Sequence, residues 1–220
     1  MPDAVRSRIV TTQATFERHR FADALLDAGP DAPTLCEGWT TRDLAAHVVL
    51  RDSRPDATPG AFVSALAKYT ERVQRNIAAG DWDEIVATVR SGPPRWSPTR
   101  IDAVDRLINT TEFFVHHEDV RRAAEPWEPR QLPDDLVNDL DAALRRMAKL
   151  FARKAPAGLT LQPDDGRATI VAKESEPMVT VTGPVGELVL WIFGRQAHSN
   201  VTYDGDADAV EALRTASFGI

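Results

Sequence analysis

Residues 37–47 read EGWTTRDLAAH. Thr40 and Asp43 have the spacing of a capping box, in which two side chains satisfy the free backbone N–H groups at the start of a helix. The stretch therefore predicts a helix that begins after Thr40 and runs through His47 to about Arg51.

His47 is predicted to lie on the buried side of this helix. Leu44 precedes it by three residues and Leu50 follows it by three, so the three side chains share one face. An imidazole on an apolar face is hard to hydrate and needs a polar partner. The sequence offers such a partner on a later helix.

Helical periodicity recurs on both sides of residues 37–47. Apolar residues at intervals of three and four, interrupted by proline and glycine, delimit each stretch. The helices predicted in this way span residues 4–28, 62–77, 99–124 and 133–154, and a shorter helix follows Gly80. The buried stripe of the helix over residues 99–124 is marked by Ile101, Val104, Ile108 and Val115. Residues 1–156 are therefore predicted to form a helical bundle.

The pattern changes after Pro156. Short apolar runs at 158–161 and 168–171 flank Asp164-Asp165-Gly166, which predicts a hairpin with a tight turn. The elements predicted to follow are a strand at 178–182, a buried helix at 185–193, a strand at 201–203 and a closing helix at 208–216. The chain is therefore predicted to be an α+β protein in which a small α+β domain, residues 157–220, follows the bundle.

Composition excludes several classes of function. The 220 residues are 43% hydrophobic, enough for a substantial core, and the net charge of -7 leaves no basic field for nucleic acid. The single cysteine, Cys36, excludes an internal disulfide and a cysteine-rich structural metal site. The longest apolar run, 188–193, is too short to cross a membrane and no signal peptide is recognisable, so we expect a cytoplasmic protein.

Glu112 and His116 lie four residues apart on the helix predicted over residues 99–124. Both side chains then share one face, one turn apart, where they can share an ion. An unpaired buried carboxylate is costly, and a divalent cation would compensate it together with two neutral imidazoles. His47, Glu112 and His116 are therefore predicted to bind one divalent metal with open positions, as in catalytic zinc sites. Ni(II), Fe(II) and Mn(II) suit the same ligands.

Local spacing also permits a structural interpretation, because Glu-x-x-x-His pairs are common on helices and a single core histidine is usually satisfied by hydrogen bonds. His117 is predicted to lie at the surface or behind a ligand, or to be the ligand itself. Asp119 is predicted to form an ion pair on the helix surface, or to orient an arginine or a ligand histidine. Cys36 is a small buried thiol or a nucleophile. His19 is predicted to face solvent, and His198 lies in a polar loop.

Residues 37–47 and residues 112–120, EFFVHHEDV, resemble the two signature stretches of the mycothiol-dependent maleylpyruvate isomerase family. This family belongs to the DinB-like and YfiT-like metalloprotein superfamily. Within the family, the chain resembles an actinobacterial branch. The resemblance implies an N-terminal four-helix bundle that holds a divalent metal, usually zinc, with His47, Glu112 and His116 in the ligand positions and water in the fourth. The stretch 179–195 is similar to the small C-terminal domain of many members.

The function implied by the resemblance is that of a thiol-dependent transferase or isomerase. Mycothiol would bind the open metal position as a thiolate and attack an electrophilic small molecule. Arg195 or Arg167 would hold an anionic substrate, or would be structural surface residues. Two other functions stay open: a non-catalytic protein that binds metal or a small ligand, and a hydrolase that uses metal-activated water.

Overall fold

A computed structural model of the protein describes residues 12–57, 64–94, 97 and 102–218. The first part of the chain is helical. Its helices are α1 (Gln13–Ala28), α2 (Thr41–Ser53), α3 (Ser64–Ala78), α4 (Trp82–Ser91) and α5 (Asp102–Arg121). Among the described helices of the whole chain, none combines the length and apolar character that a membrane span requires.

Side chains at the helix starts fix where these helices begin. The Thr40 hydroxyl accepts a hydrogen bond from the backbone N–H of Asp43, and the Asp43 carboxylate accepts one from the backbone N–H of Thr40 at 3.0 Å. The predicted capping box is therefore confirmed. Thr12 and Asp81 accept backbone N–H groups at the starts of α1 and α4.

Four helices share one apolar core. The buried side chains are Phe21, Ala22 and Leu25 from α1, Leu44, Ala45 and Val48 from α2, Ile85, Val86 and Val89 from α4, and Phe113 from α5. Helix α3 packs outside this core, where Val73 and Ile77 contact Leu50 of α2. The helical bundle expected for the N-terminal part is confirmed.

The second part of the chain combines helices with one sheet. Its elements are α6 (Asp134–Phe151), β1 (Gly158–Pro163), β2 (Ile170–Lys173), β3 (Met178–Gly183), α7 (Val185–Ile192), β4 (Thr202–Gly205) and α8 (Ala207–Thr215). The strand order is β2-β1-β3-β4, in which β1 and β3 are parallel and the two outer strands are antiparallel to their neighbours. The predicted α+β fold class is confirmed.

Helix α6 contributes to the core of the sheet. Leu140 and Leu144 belong to the same buried cluster as Leu159 and Leu161 of β1 and Trp191 of α7. Phe114 of α5 joins this cluster from the bundle side. Because α6 packs between the bundle and the sheet, the division at residues 156 and 157 stays a prediction.

Several predicted boundaries shift by a few residues. Helix α5 ends at Arg121, not at residue 124, because residues that precede Pro126 are disfavoured in helical conformation. The hairpin loop is longer than predicted, since β2 begins at Ile170 and the Asp165 carboxylate accepts the backbone N–H of Arg167 within the loop. The predicted helix starts at residues 4, 62 and 99 lie outside the described residues, as do the side chains of Ile101, Val104 and Ile108.

Buried ion pairs join α5 to the rest of the molecule. Arg122 binds both carboxylate oxygens of Glu187 on α7, at 2.7 and 2.9 Å, and donates from Nε to Glu118 at 2.6 Å. Arg130 donates from Nε to Glu118 at 2.5 Å and binds Glu17 of α1 through both terminal nitrogens. Each carboxylate is thus shared or bidentate, the geometry that best compensates the loss of hydration.

Glycine permits the close approach of α7 to α5. A Cβ at Gly186 would lie 3.1 Å from Cζ of Phe114 and 2.9 Å from Cδ1 of Leu132. Both distances are shorter than ordinary carbon contacts. The absence of a side chain at this position brings Glu187 within reach of Arg122.

The charge on Glu118 is expected to stabilise the fold. Burial raises the pKa of Glu118, but Arg130 and Arg122 outweigh it and hold the pKa below its ordinary value of 4.5. A carboxyl with a lowered folded-state pKa contributes stability above its unfolded pKa and loses that contribution as the pH falls. We expect Glu118→Gln to lower the free energy of unfolding by about 3 kcal/mol or more at pH 7, because two arginines lose a buried counter-charge.

Urea denaturation at pH 7 and at pH 4 tests this expectation. The difference between wild type and Glu118→Gln should shrink at the lower pH. Glu128→Gln, at an exposed position, is the matched control and should change stability by less than about 0.5 kcal/mol. Equal stability of the two variants at pH 7 would contradict the assignment.

Candidate metal centre

Helix α2 presents His47 toward α5. Because the capping box fixes the first turn at Thr41, His47 falls in the second turn, where it is half-buried beside the Trp39 ring at 5.1 Å between centroids. Leu44 and Leu50 are fully buried, as the sequence predicts. The imidazole of His47 lies 5.6 Å from that of His116, nearly perpendicular to it.

Helix α5 supplies the carboxylate and the second imidazole. Glu112 and His116 are one turn apart, with Oε1 of Glu112 at 3.3 Å from Nε2 of His116. A tetrahedral ion with bonds of about 2.0–2.2 Å to nitrogen and oxygen holds two ligand atoms about 3.4 Å apart. The separation of these two atoms therefore already suits a shared ion.

The three side chains converge on one point. One ligand atom from each of His47, Glu112 and His116 lies within 4.8 Å of the other two. Nε2 of His116 is buried and has no hydrogen-bond partner anywhere in the described part of the chain. A buried polar atom without a hydrogen bond is uncommon, and a metal ion shared with Glu112 at this position would satisfy it. The residues present therefore fit a divalent metal.

Asp119 and Arg195 fix the orientation of His116. Oδ2 of Asp119 lies 3.0 Å from Nδ1 of His116, so the carboxylate accepts the Nδ1 proton and leaves Nε2 to face Glu112. Arg195, just after α7, binds both oxygens of Asp119 at 2.7 and 2.8 Å. A carboxylate behind a histidine is the usual support of a metal ligand, because it sets the tautomer and the ring orientation.

The pKa values of the two histidines are shifted in opposite directions. Burial, the charge of His116 and the charge of Arg51 lower the pKa of His47 to about 4, so this imidazole is neutral at pH 7. Burial also acts to lower the pKa of His116, but contacts with Asp119, Cys36 and Glu112 outweigh it and raise the pKa well above the ordinary value. Metal uptake at Nε2 must therefore displace a proton from His116.

Glu112 carries its negative charge at neutral pH. Burial acts to raise its pKa, but His116 and then Arg51 hold the pKa well below the ordinary value. The carboxylate is thus available as a ligand without losing a proton. Nε of Arg51 lies 3.9 Å from Oε1 of Glu112, within ion-pair distance but beyond a hydrogen bond.

A cavity of about 220 Å³ opens beside Glu112 and His116. Its other lining residues are Val115, Phe151, Phe193, Arg195 and Phe218. The walls therefore come from α5 of the bundle, from the end of α6 and from the C-terminal part of the chain. The volume is below the roughly 300–1,000 Å³ of pockets that enclose whole drug-sized ligands, so only the reacting part of a larger molecule fits.

A second group of ligand types shares His116. Cys36, His116 and Asp119 each place one candidate atom within 4.8 Å of the others. Arg195 lies against this group, with Nη2 at 3.5 Å from Sγ of Cys36 and 2.7 Å from Oδ2 of Asp119. Because the guanidinium already supplies the positive charge there, the set of His47, Glu112 and His116 is better suited to a metal ion.

Residues 12–121 match the sequence profile described as the mycothiol maleylpyruvate isomerase N-terminal domain. The match covers half of the chain and includes His47, Glu112 and His116. The chain belongs to this family. The resemblance noted from residues 37–47 and 112–120 is therefore confirmed.

Two solved structures extend the family likeness to the fold of most of the chain. A crystal structure of a mutant of the mycothiol-dependent maleylpyruvate isomerase has a TM-score of 0.59, and a second crystal structure of the same enzyme has a TM-score of 0.54. Both are 15% identical to this chain, and each alignment covers 87% of this chain and 90% of the other. The curated proteins contain no match.

The structure of this family member also corrects several expectations. His117 is buried, with Nδ1 at 3.3 Å from Glu17, so a surface position for it was wrong. Asp119 does form an ion pair, but it is fully buried and does not lie on the helix surface. Packing by α1 and by the C-terminal part covers these side chains. His19 is exposed as predicted, and the carbonyl of His198 accepts a hydrogen bond from Arg122.

Arg195 and Arg167 differ in position. Arg195 lines the cavity and pairs with Asp119, whereas Arg167 pairs with Asp165 in the hairpin loop. Only Arg195 is therefore close enough to contact a molecule in the cavity. The sequence did not indicate which arginine Asp119 would bind, since 76 residues separate Arg195 from it.

We expect the wild-type protein to retain about one zinc ion per chain after dialysis. His47→Ala and Glu112→Gln should each remove it, because two remaining ligands hold zinc weakly. Elemental analysis of the purified proteins measures the stoichiometry. His19→Ala, which removes an exposed imidazole from α1, is the control and should keep the metal; wild-type levels in His47→Ala would rule out this ligand set.

Asp119→Asn should weaken zinc binding by about 10- to 100-fold without removing a ligand. The amide cannot accept the Nδ1 proton with the strength of a carboxylate, so His116 loses its imposed orientation. Competition with a chromophoric chelator measures the zinc affinity. An unchanged affinity would show that Asp119 serves only to bind Arg195.

Proposed function

We propose that this protein binds one divalent metal ion, preferably zinc, through His47, Glu112 and His116. With this ion it catalyses a mycothiol-dependent isomerisation or transfer. The observation that carries the proposal is the buried Nε2 of His116, which makes no hydrogen bond within the described residues and faces Glu112 and His47 at the edge of a cavity. Membership in the family supports mycothiol as the thiol, and the two similar crystal structures are of a mycothiol-dependent maleylpyruvate isomerase.

Two neutral imidazoles and one carboxylate leave coordination positions free, which is the composition of catalytic zinc sites. A free thiol has a pKa of about 8.5, and a bound divalent cation would hold such a thiol deprotonated at neutral pH. Addition of the thiol to an activated double bond, rotation about the resulting single bond and elimination of the same thiol would isomerise the substrate without consuming thiol. Displacement of a leaving group would instead give transfer.

The chain itself positions the reactants. Asp119 and Arg195 hold the His116 ring, and Glu112 remains ionised beside it. Phe151 and Phe193, which meet edge to face with centroids 4.7 Å apart, form an apolar wall of the cavity. A wall of this kind excludes water and strengthens the electrostatic interactions next to it.

A turnover assay tests the proposal. The zinc-loaded protein is incubated with mycothiol and a panel of cis-configured activated alkenes, and isomerisation is followed by absorbance. We expect a mycothiol-dependent rate that falls at least about 100-fold in His47→Ala and after chelation, because each removes the charge that activates the thiol. His19→Ala should retain the wild-type rate.

Three results would count against the proposal. A rate that survives both His47→Ala and chelation would mean that the metal takes no part. Ester or amide hydrolysis that needs the metal but no thiol would identify a metal-activated water instead. Tight binding of metal and a small ligand without any turnover would identify a binding protein.

A further inference from the structure

The cavity beside the candidate metal centre has few polar side chains and a largely apolar lining. Glu112 and His116 are candidate ligands, and Arg195 is the other charged residue among the described side chains that line it. The remaining lining residues are Val115, Phe151, Phe193 and Phe218. Three aromatic rings therefore border a space that adjoins the proposed ion.

Packing holds these rings in place. Phe151 and Phe218 are buried and belong to the apolar core that the sheet shares with α6 and α7. Phe218 packs against Trp191 with centroids 4.8 Å apart, and Phe193 meets Phe151 edge to face. Phe193 is only half-buried. The apolar wall is thus already formed in the absence of any bound molecule.

The size of the cavity suits one aromatic ring. An apolar cavity of about 150 Å³ in another protein, lined by leucine, isoleucine and phenylalanine, binds benzene. The volume of about 220 Å³ found here therefore accommodates a ring together with a few atoms attached to it. Aromatic rings favour offset or edge-to-face contact with other rings, and the three phenylalanines offer such contacts.

The guanidinium of Arg195 is already occupied. Its Nε and Nη2 donate to the two oxygens of Asp119, and its Nη1 donates to the backbone carbonyl of Phe193 at 2.5 Å. Each of its nitrogens thus has an acceptor within the chain, and a buried carboxylate neutralises its charge. Among the described residues of the lining, no cationic side chain is left to compensate an anionic group.

A bound thiolate would also leave the ion with little attraction for a further anion. The two positive charges of a divalent cation are matched by Glu112 and by the sulfur of the thiolate. Arg51 lies outside the lining, and its Nη2 donates to buried Asn109 at 2.7 Å. A carboxylate in the cavity would therefore lose its hydration without gaining a full counter-charge, which is costly.

We propose that the cavity binds an uncharged aromatic group of the electrophilic substrate, and that Phe151, Phe193 and Phe218 select this group. The inference rests on the proposed function and names the substrate class of the same site, which is neutral, aryl-substituted electrophiles. Burial of the ring favours binding, while the atoms attached to it remain next to Glu112 and His116. The three phenylalanines determine specificity and take no part in the chemistry.

Binding of unreactive analogues tests the inference without turnover. The probes are methyl 3-phenylpropanoate, its acid 3-phenylpropanoate, and methyl butanoate, in which a methyl group replaces the ring. All three are saturated and cannot add a thiol, so each is titrated calorimetrically into the zinc-loaded protein with and without mycothiol. We expect the aromatic ester to bind about 10- to 100-fold more tightly than methyl butanoate, because the ring removes several more carbons from water. With mycothiol present, the aromatic ester should also bind more tightly than its acid.

Two variants of Phe193 locate the ring. Phe193→Gln places a polar group in the wall and keeps the backbone carbonyl that Arg195 uses, so it should weaken binding of the aromatic ester by about 10-fold. Phe193→Leu keeps the wall apolar and should retain most of the affinity. Phe16→Gln is the matched control, because Phe16 is half-buried on α1 and lines a separate groove. Elemental analysis and circular dichroism of each variant confirm that zinc and fold are retained.

The inference is wrong on any of three outcomes. Equal affinity of the wild type for the aromatic ester and for methyl butanoate would mean that the cavity does not prefer a ring. Tighter binding of 3-phenylpropanoate than of its ester with mycothiol present would mean that charge selects the substrate. Unchanged binding of the ester to Phe193→Gln would place the ring elsewhere. Failure of the proposed function is distinct from these results, because zinc or mycothiol-dependent turnover would then be absent while the preference for the ring persists.

Discussion

Four consecutive ionisable residues of α5, His116 to Asp119, are all buried, and the cost of burying them constrains the rest of the structure. Successive residues on a helix point in different directions, so this turn must be enclosed on every side. Each side chain therefore needs a partner on a different side of the helix. His117 takes Glu17 of α1, Glu118 takes Arg122 and Arg130, and Asp119 takes Arg195. Nε2 of His116 is buried, makes no hydrogen bond within the described residues, and faces His47 and Glu112.

The candidate centre is consequently a joint product of the bundle and the C-terminal part. The bundle contributes the three candidate ligands, since α2 and α5 both border its apolar core. The C-terminal part contributes Arg195, which holds Asp119, and two aromatic walls of the cavity. A side chain of α7, Glu187, also neutralises Arg122 directly behind the same turn. The candidate ligands and the cavity are therefore connected through a few charged contacts of α5.

The features that depend on local spacing along the chain could be predicted from the sequence. The capping box at Thr40 and Asp43 located His47, and helical spacing put Glu112 and His116 on one face; the family resemblance joined the two helices. Spacing along one helix cannot show which other faces later elements will cover. That limit explains why His117 and Asp119 were expected at the surface. It also explains why the hydrogen bond between Arg51 of α2 and Asn109 of α5 was not predicted.

The way Glu118 and Asp119 are neutralised bears on how the chain assembles. Their arginine partners at 121, 122, 130 and 195 lie at or beyond the end of the region that matches the family profile. During synthesis, the helix carrying these acids emerges long before Arg195 does. Until then Asp119 lacks this counter-ion, so the carboxylate that orients His116 is not yet held by Arg195. The segment that follows α6 therefore supplies the arginine that completes the charge pairing behind the candidate centre.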